Sequence, residues 1–257
     1  MTKPLYTSYF TNLVALLSIV AMSSYLGLGA CSQARESYVN IIYSDNMDFT
    51  ACVGGLPTPA RLISLEMSLT EQPIVSTCPY VWWVPDTGGF PLHYFRYPPD
   101  MFVACTPKTA SIGTFTGEMI FRADYFGYTY AEARVPLQAQ IVDPSSDPFP
   151  GFTKNSGQDI TFFTFSVPVG TPGLTTQVLQ IVNQGGGTLT WDMVSDKPWL
   201  SVAPYQGDTT TEQDVVAVNV NVAGLLANTV EFGAITFNCN SPYVAQEKIY
   251  VVLLVTP

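Results

Sequence analysis

His93 is the only histidine in the chain, and this limits the chemistry that the sequence can support. It excludes a multi-histidine metal site, and a Ser-His-Asp triad would have to use His93. The sequence contains no Gly-x-Ser-x-Gly elbow, no glycine-rich phosphate loop and no Cys-x-x-Cys pair. Carboxylates from distant strands can still meet in space, as glycosidases require, but no Asp/Glu pair stands out. We therefore expect a protein that is not an enzyme and that uses no cofactor or metal.

Two short acidic segments, Asp45–Asp48 and Asp143–Asp147, offer oxygen ligands of the kind that calcium prefers. Both lack the ligand spacing of a known calcium loop. Asp and Asn also favour turns because their side chains bond to the nearby backbone, which explains both segments equally well. No metal site is predicted from them.

The most distinctive group of side chains in the first half is aromatic. It comprises Tyr80, Trp82, Trp83, Phe90, Tyr94, Phe95, Tyr97 and Phe102. Adjacent residues on a strand point to opposite faces, so Trp82 and Trp83 cannot both be core unless both faces are covered. Exposed aromatic side chains stack on sugar rings and anchor protein partners. We therefore predict a ligand-binding site at Trp82, Trp83, Tyr94 and Tyr97, the alternative being that these side chains simply fill a loop-rich domain.

The charge of the chain narrows the class of ligand. Twenty acidic residues against ten basic ones give a net charge of −10, and no run of Lys or Arg occurs. Such a chain is repelled by phosphate backbones and anionic lipid surfaces, which excludes nucleic acid as a partner. An uncharged glycan or a protein is the expected ligand. With 47% hydrophobic and 12% charged residues, the chain has ample apolar surface to fold.

The N-terminus has the features of an export signal over residues 1–30. Lys3 precedes an apolar run from Leu13 to Met22. The following Leu28-Gly-Ala-Cys31 resembles a bacterial lipobox, in which the cysteine is lipidated and becomes the new N-terminus. Ordinary cleavage near Cys31, or an uncleaved membrane anchor over residues 13–30, are the alternatives. All three place the remaining chain outside the cytoplasm, either secreted or held at the cell envelope.

Cysteine usage fits export. The cysteines beyond Cys31 are Cys52, Cys78, Cys105 and Cys239. Outside the cytoplasm they permit up to two disulfides, whose pairing the sequence does not fix. Three lie in the first half and one in the second, so we expect at least one unpaired thiol. Cys239 shares a strand face with Ile235 and Phe237, which indicates a buried thiol that packs as a small hydrophobe.

A segment rich in proline divides the chain into two parts of about one hundred residues each, the usual size of a β-sandwich domain. Residues 143–153 contain three prolines and a glycine in a polar run, which is typical of a linker. We therefore predict an N-terminal domain over residues 36–142 and a C-terminal domain over residues 154–257.

The second half shows the alternation of β-strands throughout. The predicted strands are Ile160–Val167, Gln177–Val182, Thr188–Val194, Leu200–Ala203, Val215–Val222, Phe232–Cys239 and Lys248–Val255. Apolar residues at every second position from Val216 to Val222 predict a half-buried strand. The glycines of Gly185–Gly187 predict a hairpin turn between two strands. The only convincing helical segment is the N-terminal signal.

The same half resembles a BACON-type immunoglobulin-like module. The resemblance rests on Val178–Trp191, Asp196–Pro204, Gly207 and Val215–Asn221, which give Asn-x-Gly, Leu-x-Trp, Pro-Trp-Leu-x-Val-x-Pro and Gly in that order. The segment Asn238–Pro242 departs from the pattern. The resemblance implies a sandwich fold, an extracellular setting and a non-catalytic protein of a class sometimes proposed to bind glycans. It also implies that Trp191 and Trp199 are core residues, and it assigns no functional residue.

The first half is interpreted as a diverged second copy, the alternative being a different all-β domain with longer loops. Gly113–Phe121 resembles Asn228–Phe237 in layout, and apolar residues alternate from Val135 to Ile141. The predicted fold is therefore all-β, with two tandem immunoglobulin-like sandwiches after an N-terminal signal or anchor helix. The predicted function is surface-attached, non-catalytic binding or adhesion. A purely structural spacer or assembly subunit, and a glycan-acting enzyme without recognisable motifs, are the alternatives.

Overall fold

The computed structural model describes residues 38–67, 74–79, 81–83, 100–125, 128–154, 158–159 and 162–257. All helical or strand structure within these ranges is β-strand, so the chain is an all-β protein as predicted. A helix capable of crossing a membrane does not occur among the residues described. The predicted signal or anchor of residues 1–30, and Cys31, lie outside the described residues.

The first eight strands form two four-stranded sheets that enclose one core. The strands are β1 (Val39–Ser44), β2 (Asp48–Cys52), β3 (Arg61–Met67), β4 (Ile74–Ser76), β5 (Val81–Trp83), β6 (Asp100–Cys105), β7 (Gly113–Tyr125) and β8 (Tyr128–Val142). Sheet A has the order β1-β3-β6-β5 and sheet B the order β2-β8-β7-β4. Ile63 and Val103 of sheet A pack against Phe49, Met119 and Leu137 of sheet B. We call this unit the N-terminal sandwich.

The remaining strands form two five-stranded sheets around a second core. They are β9 (Pro150–Lys154), β10 (Gln158–Asp159), β11 (Phe162–Pro168), β12 (Thr175–Asn183), β13 (Leu189–Ser195), β14 (Leu200–Ala203), β15 (Gln206–Thr209), β16 (Gln213–Val220), β17 (Thr229–Cys239) and β18 (Gln246–Thr256). Sheet C has the order β10-β9-β12-β16-β14 and sheet D the order β11-β18-β17-β13-β15. Leu179 and Val218 of sheet C meet Phe165, Phe237 and Leu253 of sheet D. We call this unit the C-terminal sandwich.

The two sandwiches share one strand topology. The orders β1-β3-β6-β5 and β9-β12-β16-β14 both correspond to the A-B-E-D sheet of an immunoglobulin-type sandwich. The orders β8-β7-β4 and β18-β17-β13 both correspond to its G-F-C sheet. In each sandwich an early strand, β2 or β11, pairs in parallel with the last strand. The two segments compared by layout, Gly113–Phe121 and Asn228–Phe237, lie at equivalent places around β7 and β17.

The predicted strands of the second half correspond to β11, β12, β13, β14, β16, β17 and β18. Strand β16 ends at Val220, before the predicted end at Val222, and its alternation is only partly as predicted. Val216, Val218 and Val220 are buried, but Asn219, which was expected on the opposite face, is buried as well. Strand β15 was missed. Strand β9 was also missed, because its residues Pro150–Lys154 fall at the end of the predicted linker, yet they pair with β12.

The interpretation of Gly185–Gly187 as a hairpin turn is wrong. Strands β12 and β13, on either side of it, belong to opposite sheets and do not pair. The loop instead packs on Pro144–Asp147: the Gly186 N–H lies 3.1 Å from the Pro144 carbonyl oxygen and 3.0 Å from that of Asp147. A Cβ on Gly185 would overlap the Asp147 carbonyl, so close approach to another backbone, rather than a tight turn, requires glycine here.

Candidate functional site

The predicted aromatic site is only partly described. Trp82 and Trp83 lie on β5, which forms one edge of sheet A. Their backbone register partners on β6 are Ala104 and Val103. Val103 belongs to the core of the N-terminal sandwich, whereas Ala104 belongs to a separate apolar cluster outside that core. Tyr94 and Tyr97, and also His93, lie outside the described residues.

That separate cluster is the contact between the two sandwiches, here called the junction. Its apolar residues are Ala60, Leu62, Phe102 and Ala104 from the first sandwich and Phe162, Phe232, Ala234, Tyr250 and Val252 from the second. The rings of Phe102 and Phe162 stack with their centroids 4.3 Å apart. The outward faces of sheets A and D therefore cover each other, and Ser37–Pro257 forms one compact unit.

Asp45 is the polar centre of the junction rather than a calcium ligand. Its Oδ2 accepts hydrogen bonds from the Leu62 N–H at 2.8 Å and from the Tyr250 hydroxyl at 2.7 Å. Its Oδ1 accepts the Tyr43 hydroxyl at 2.7 Å, and Lys248 Nζ lies 3.7 Å from the same atom. Both oxygens are therefore engaged by protein groups. In the part of the chain that is described, no three His, Cys, Asp or Glu side chains are grouped to hold a metal ion.

These contacts determine the protonation states of Asp45 and Tyr250. Burial opposes the charge of Asp45, but the Leu62 N–H and the hydroxyls of Tyr43 and Tyr250 outweigh it and lower the pKa of the carboxyl. Burial, together with the hydrogen bond to Asp45, raises the pKa of Tyr250. Asp45 is consequently an anion that accepts and Tyr250 a neutral phenol that donates, an arrangement suited to holding structure rather than to proton transfer at neutral pH.

A second polar contact of the junction is the ion pair of Arg61 and Glu247, whose Nη1 and Oε2 atoms are 2.9 Å apart. The Glu247 side chain is only 4% exposed, and that of Arg61 is 16% exposed. Arg61 Nε and Glu247 Oε2 make no well-aligned hydrogen bond, so the attraction is mainly that of two close charges. Burial raises the pKa of Glu247, and Arg61 offsets this only in part. The guanidinium also lies over the ring of Phe49, 5.8 Å from its centroid.

Gln184 links the sandwiches beside the Gly185–Gly187 loop. Its Oε1 accepts the Leu56 N–H at 2.7 Å, and its Nε2 donates to the Pro150 carbonyl at 2.9 Å. A Cβ on Gly55 or Gly151 would overlap this side chain. A small apolar cluster completes this second contact. Its members are Cys52, Val142, Phe149 and Val244.

The second acidic segment, Asp143–Asp147, forms a turn rather than a metal site. Asp143 Oδ1 accepts the Ser145 N–H at 3.2 Å, and Asp147 Oδ2 accepts the hydroxyls of Ser146 and Tyr243 at 3.1 and 3.3 Å. The bond from the Ser145 N–H is the local side-chain to backbone bond typical of a turn, whereas the bond from Tyr243 joins the turn to a distant part of the chain.

An open cleft of about 520 Å³ lies where the chain crosses from sheet A to sheet B. Asn46 and Asp48 line one side, and the segment Arg134–Gln138 of β8 lines the other. The charge of Arg134 is already engaged, because its guanidinium contacts Glu118 and Glu132, each at 2.6 Å. The lining combines the polar side chains of Asn46, Asp48 and Gln138 with apolar ones such as Ile41 and Leu137.

Cys52, Cys105 and Cys239 are free thiols. Cys239 is half-buried rather than fully buried as predicted; it packs against the core of the C-terminal sandwich, and its Sγ lies 2.9 Å from the Val244 carbonyl oxygen. Burial raises the pKa of the thiols of Cys52, Cys78, Cys105 and Cys239. In these surroundings the thiols are poor nucleophiles.

The prediction that Trp191 and Trp199 are core residues is confirmed, since both are buried in the C-terminal sandwich. The indole N–H of Trp191 on β13 donates to Asp214 Oδ2 at 2.8 Å, which satisfies its only polar group. Trp199 packs so closely on Gly233 that an added Cβ there would lie 3.0 Å from the indole ring.

No family model matches this chain, and no curated protein does. Among solved structures, a protein of unknown function from Porphyromonas gingivalis is 14% identical, with 79% of this chain and 97% of that chain covered and a TM-score of 0.35. The N-terminal Ig1-2 module of the Drosophila receptor protein tyrosine phosphatase DLAR is 10% identical, with 85% and 99% covered and a TM-score of 0.36. The D00-D0 domain of intimin is 8% identical, with 86% and 100% covered and a TM-score of 0.30. None of these scores is high enough to assign a function.

Sequence reasoning missed the junction, although β18 carries a signal of it. Residues Ile249–Val255 are apolar without interruption, and a strand of an antiparallel sheet with one solvated face would alternate instead. Tyr250 and Val252 cover the outward face of sheet D, whereas Val251 and Leu253 face the core. An unbroken apolar strand thus indicates that both faces of its sheet are covered.

Proposed function

We propose that this chain is an exported, surface-attached, non-catalytic binding protein built from two immunoglobulin-like domains. Its ligand is an uncharged glycan or a protein, taken up by the aromatic segment that begins at Trp82 and Trp83 and continues to Tyr94 and Tyr97. Export and attachment rest on the signal-like residues 1–30 and on Cys31. The BACON-type resemblance of the second half supports the same assignment.

The observation that carries the proposal is the position of β5. Among the described strands β5 is the outermost of sheet A, at the point where the aromatic segment begins, and no described strand pairs with its outer side. In the C-terminal sandwich, Trp191, Trp199, Phe237 and Tyr250 are buried in its core or in the junction. Tyr205 and Tyr243 are exposed there. Exposed aromatic side chains anchor glycans and protein partners.

The charged groups of the described residues also favour binding over catalysis. Asp45, Arg61 and Glu247 are engaged in the junction, and Arg134 is paired with two glutamates. Glu118 and Glu132 both form ion pairs with the Arg134 guanidinium. A catalytic acid–base pair would instead have carboxyl groups free to contact a substrate.

A glycan array probed with the full-length chain tests this proposal, with turnover of the same polysaccharides measured in parallel. We expect saturable binding of at least one uncharged glycan, or capture of a surface protein, and no release of shorter sugars. Hydrolysis of any polysaccharide would contradict the non-catalytic assignment. Intact mass and membrane partition of the native protein test attachment: a diacylglyceryl group on Cys31 is expected, and an unmodified N-terminus elsewhere would contradict lipidation.

The junction favours a second candidate function, that of a structural spacer or assembly subunit. Buried side chains from both sandwiches, including Phe102 and Phe162, and the polar contacts of Asp45 and Glu247 hold the two sandwiches against each other. A spacer needs such a fixed arrangement and no ligand. Absence of binding to all glycans and surface proteins, with normal surface display of the chain, would favour this function.

A further inference from the structure

Cys78 and Cys105 occupy one part of the core of the N-terminal sandwich. Their exposed fractions are 1% and 0%, and both belong to the same buried cluster. Cys105 ends β6 in sheet A, where its N–H donates to the Thr58 hydroxyl at 3.1 Å. Cys78 lies against sheet B, with its Sγ 3.6 Å from the Phe115 carbonyl oxygen. The two thiols therefore enter the core from opposite sheets.

The positions of the two cysteines along the chain also bring them together. Val81, at the start of β5, is the register partner of Cys105. Cys78 lies three residues before Val81 in the sequence. Burial raises the pKa of the Cys105 thiol, and the proximity of Cys78 raises it further, to about 12. Cys52 lies elsewhere, in the small apolar cluster with Val142, Phe149 and Val244, and Cys239 packs against the core of the C-terminal sandwich.

We propose that Cys78 and Cys105 form a disulfide that joins sheet A to sheet B in the exported protein. The oxidant is a thiol-exchanging disulfide such as oxidised glutathione. The two cysteine S–H bonds and one glutathione S–S bond break, one protein S–S bond forms, and two glutathione molecules leave as thiols. Because both thiols are buried in the folded chain, this exchange takes place during folding.

The disulfide would link the two ends of the segment 78–105, which carries the proposed ligand site. Cys78 stands just before β5 and Cys105 at the end of β6, so the disulfide brackets the strand pair that includes Trp82 and Trp83. A cross-link stabilises mainly by restricting the unfolded chain. The oxidising setting rests on the proposed export, whereas the pairing itself rests on the core geometry.

Refolding of the full-length chain in a buffer of reduced and oxidised glutathione tests the pairing. Free thiols are then alkylated, and the chain is digested without reductant for mass spectrometry. We expect one peptide pair linking Cys78 to Cys105, with Cys52 and Cys239 alkylated. Alkylation of Cys78 and Cys105 in a chain that has regained its β-sheet circular dichroism would overturn the proposal, as would pairing of either with another cysteine.

Stability supplies a second readout. Reduction of the refolded chain, and Cys78→Ser or Cys105→Ser, should lower its Tm by about 6–12 °C, whereas reduction of either serine variant should lower it no further. Cys239→Ser is the matched control and should keep the linked peptide and the response to reductant. If the refolded chain is linked while the chain isolated from its native cells has free thiols, the disulfide site stands and the export proposal fails.

Discussion

Arg61→Met should destabilise the protein by about 3–5 kcal/mol at pH 7, the usual effect of removing one partner of a buried ion pair. The Glu247 side chain is 4% exposed, and Arg61, at 2.9 Å, is the only cation that any of the described contacts gives it. Without Arg61 the Glu247 carboxylate stays buried and uncompensated, while methionine retains most of the apolar volume of arginine and the packing against Phe49.

The effect of pH on this variant follows from the direction of the Glu247 shift. Burial already raises the pKa of Glu247 in the folded protein, and loss of Arg61 raises it further. Below its unfolded pKa, near 4.5, a carboxyl is protonated in both states and its burial costs no charge desolvation. As the pH rises from the unfolded pKa through the raised folded pKa, the free energy of unfolding falls. The destabilisation by Arg61→Met should therefore be largest near neutral pH and shrink toward pH 4.

Urea unfolding of the full-length chain between pH 4 and 8 measures this effect. Arg61→Met/Glu247→Gln should recover most of the lost stability, because no buried charge remains. Arg134→Met is the matched control, since the side chain of Arg134 is 50% exposed and an exposed ion pair contributes about 0–1 kcal/mol. A loss below about 1 kcal/mol for Arg61→Met, or a loss that grows as the pH falls, would refute the reasoning.

Three further predictions concern packing, protonation and domain boundaries. Trp199→Ala should lower the free energy of unfolding by about 3–5 kcal/mol, and Tyr205→Ala, at a side chain 62% exposed, should change it little; equal effects in urea titrations would contradict the core assignment. Asp45→Asn should destabilise the protein above pH 4 and lose its effect at lower pH, because a carboxyl with a lowered folded pKa contributes stability that is fully present above its unfolded pKa and is lost as the pH falls through the folded pKa; a pH-independent loss would count against this. A fragment of residues 148–257 should fold as a β-rich, cooperative unit and melt above a fragment of residues 154–257, which lacks β9; aggregation of both would show that the sandwiches cannot fold apart.

Local patterns in the sequence predict much of the C-terminal sandwich. The period-two alternation of Val216–Val222 fixes which face of β16 is buried, and β14 has the predicted bounds Leu200–Ala203. The two tryptophans Trp191 and Trp199 were placed correctly in the core. These features depend on strand periodicity and on burial of large side chains, both of which are visible within a few residues.

Features that depend on distant parts of the chain were not predictable in this way. Pro150 and Gly151 have the composition of a linker, yet β9 forms because β12 offers it an unpaired edge. The Asp45 segment has the composition of a turn, and its hydrogen-bond partner Tyr250 lies near the opposite end of the chain. Neither the edge of β12 nor the hydroxyl of Tyr250 has a local signature.

The proposed function depends on ligand binding through the aromatic segment that begins on β5. Affinity for a glycan or protein identified on the array, measured together with Tm for Trp82→Ala and Trp83→Ala, tests it most directly, with Tyr205→Ala as an exposed aromatic control. At least one of the two tryptophan variants should lose affinity by about thirtyfold while its Tm stays close to that of the unmodified chain. Unfolding by both variants, or unchanged affinity in both, would contradict it.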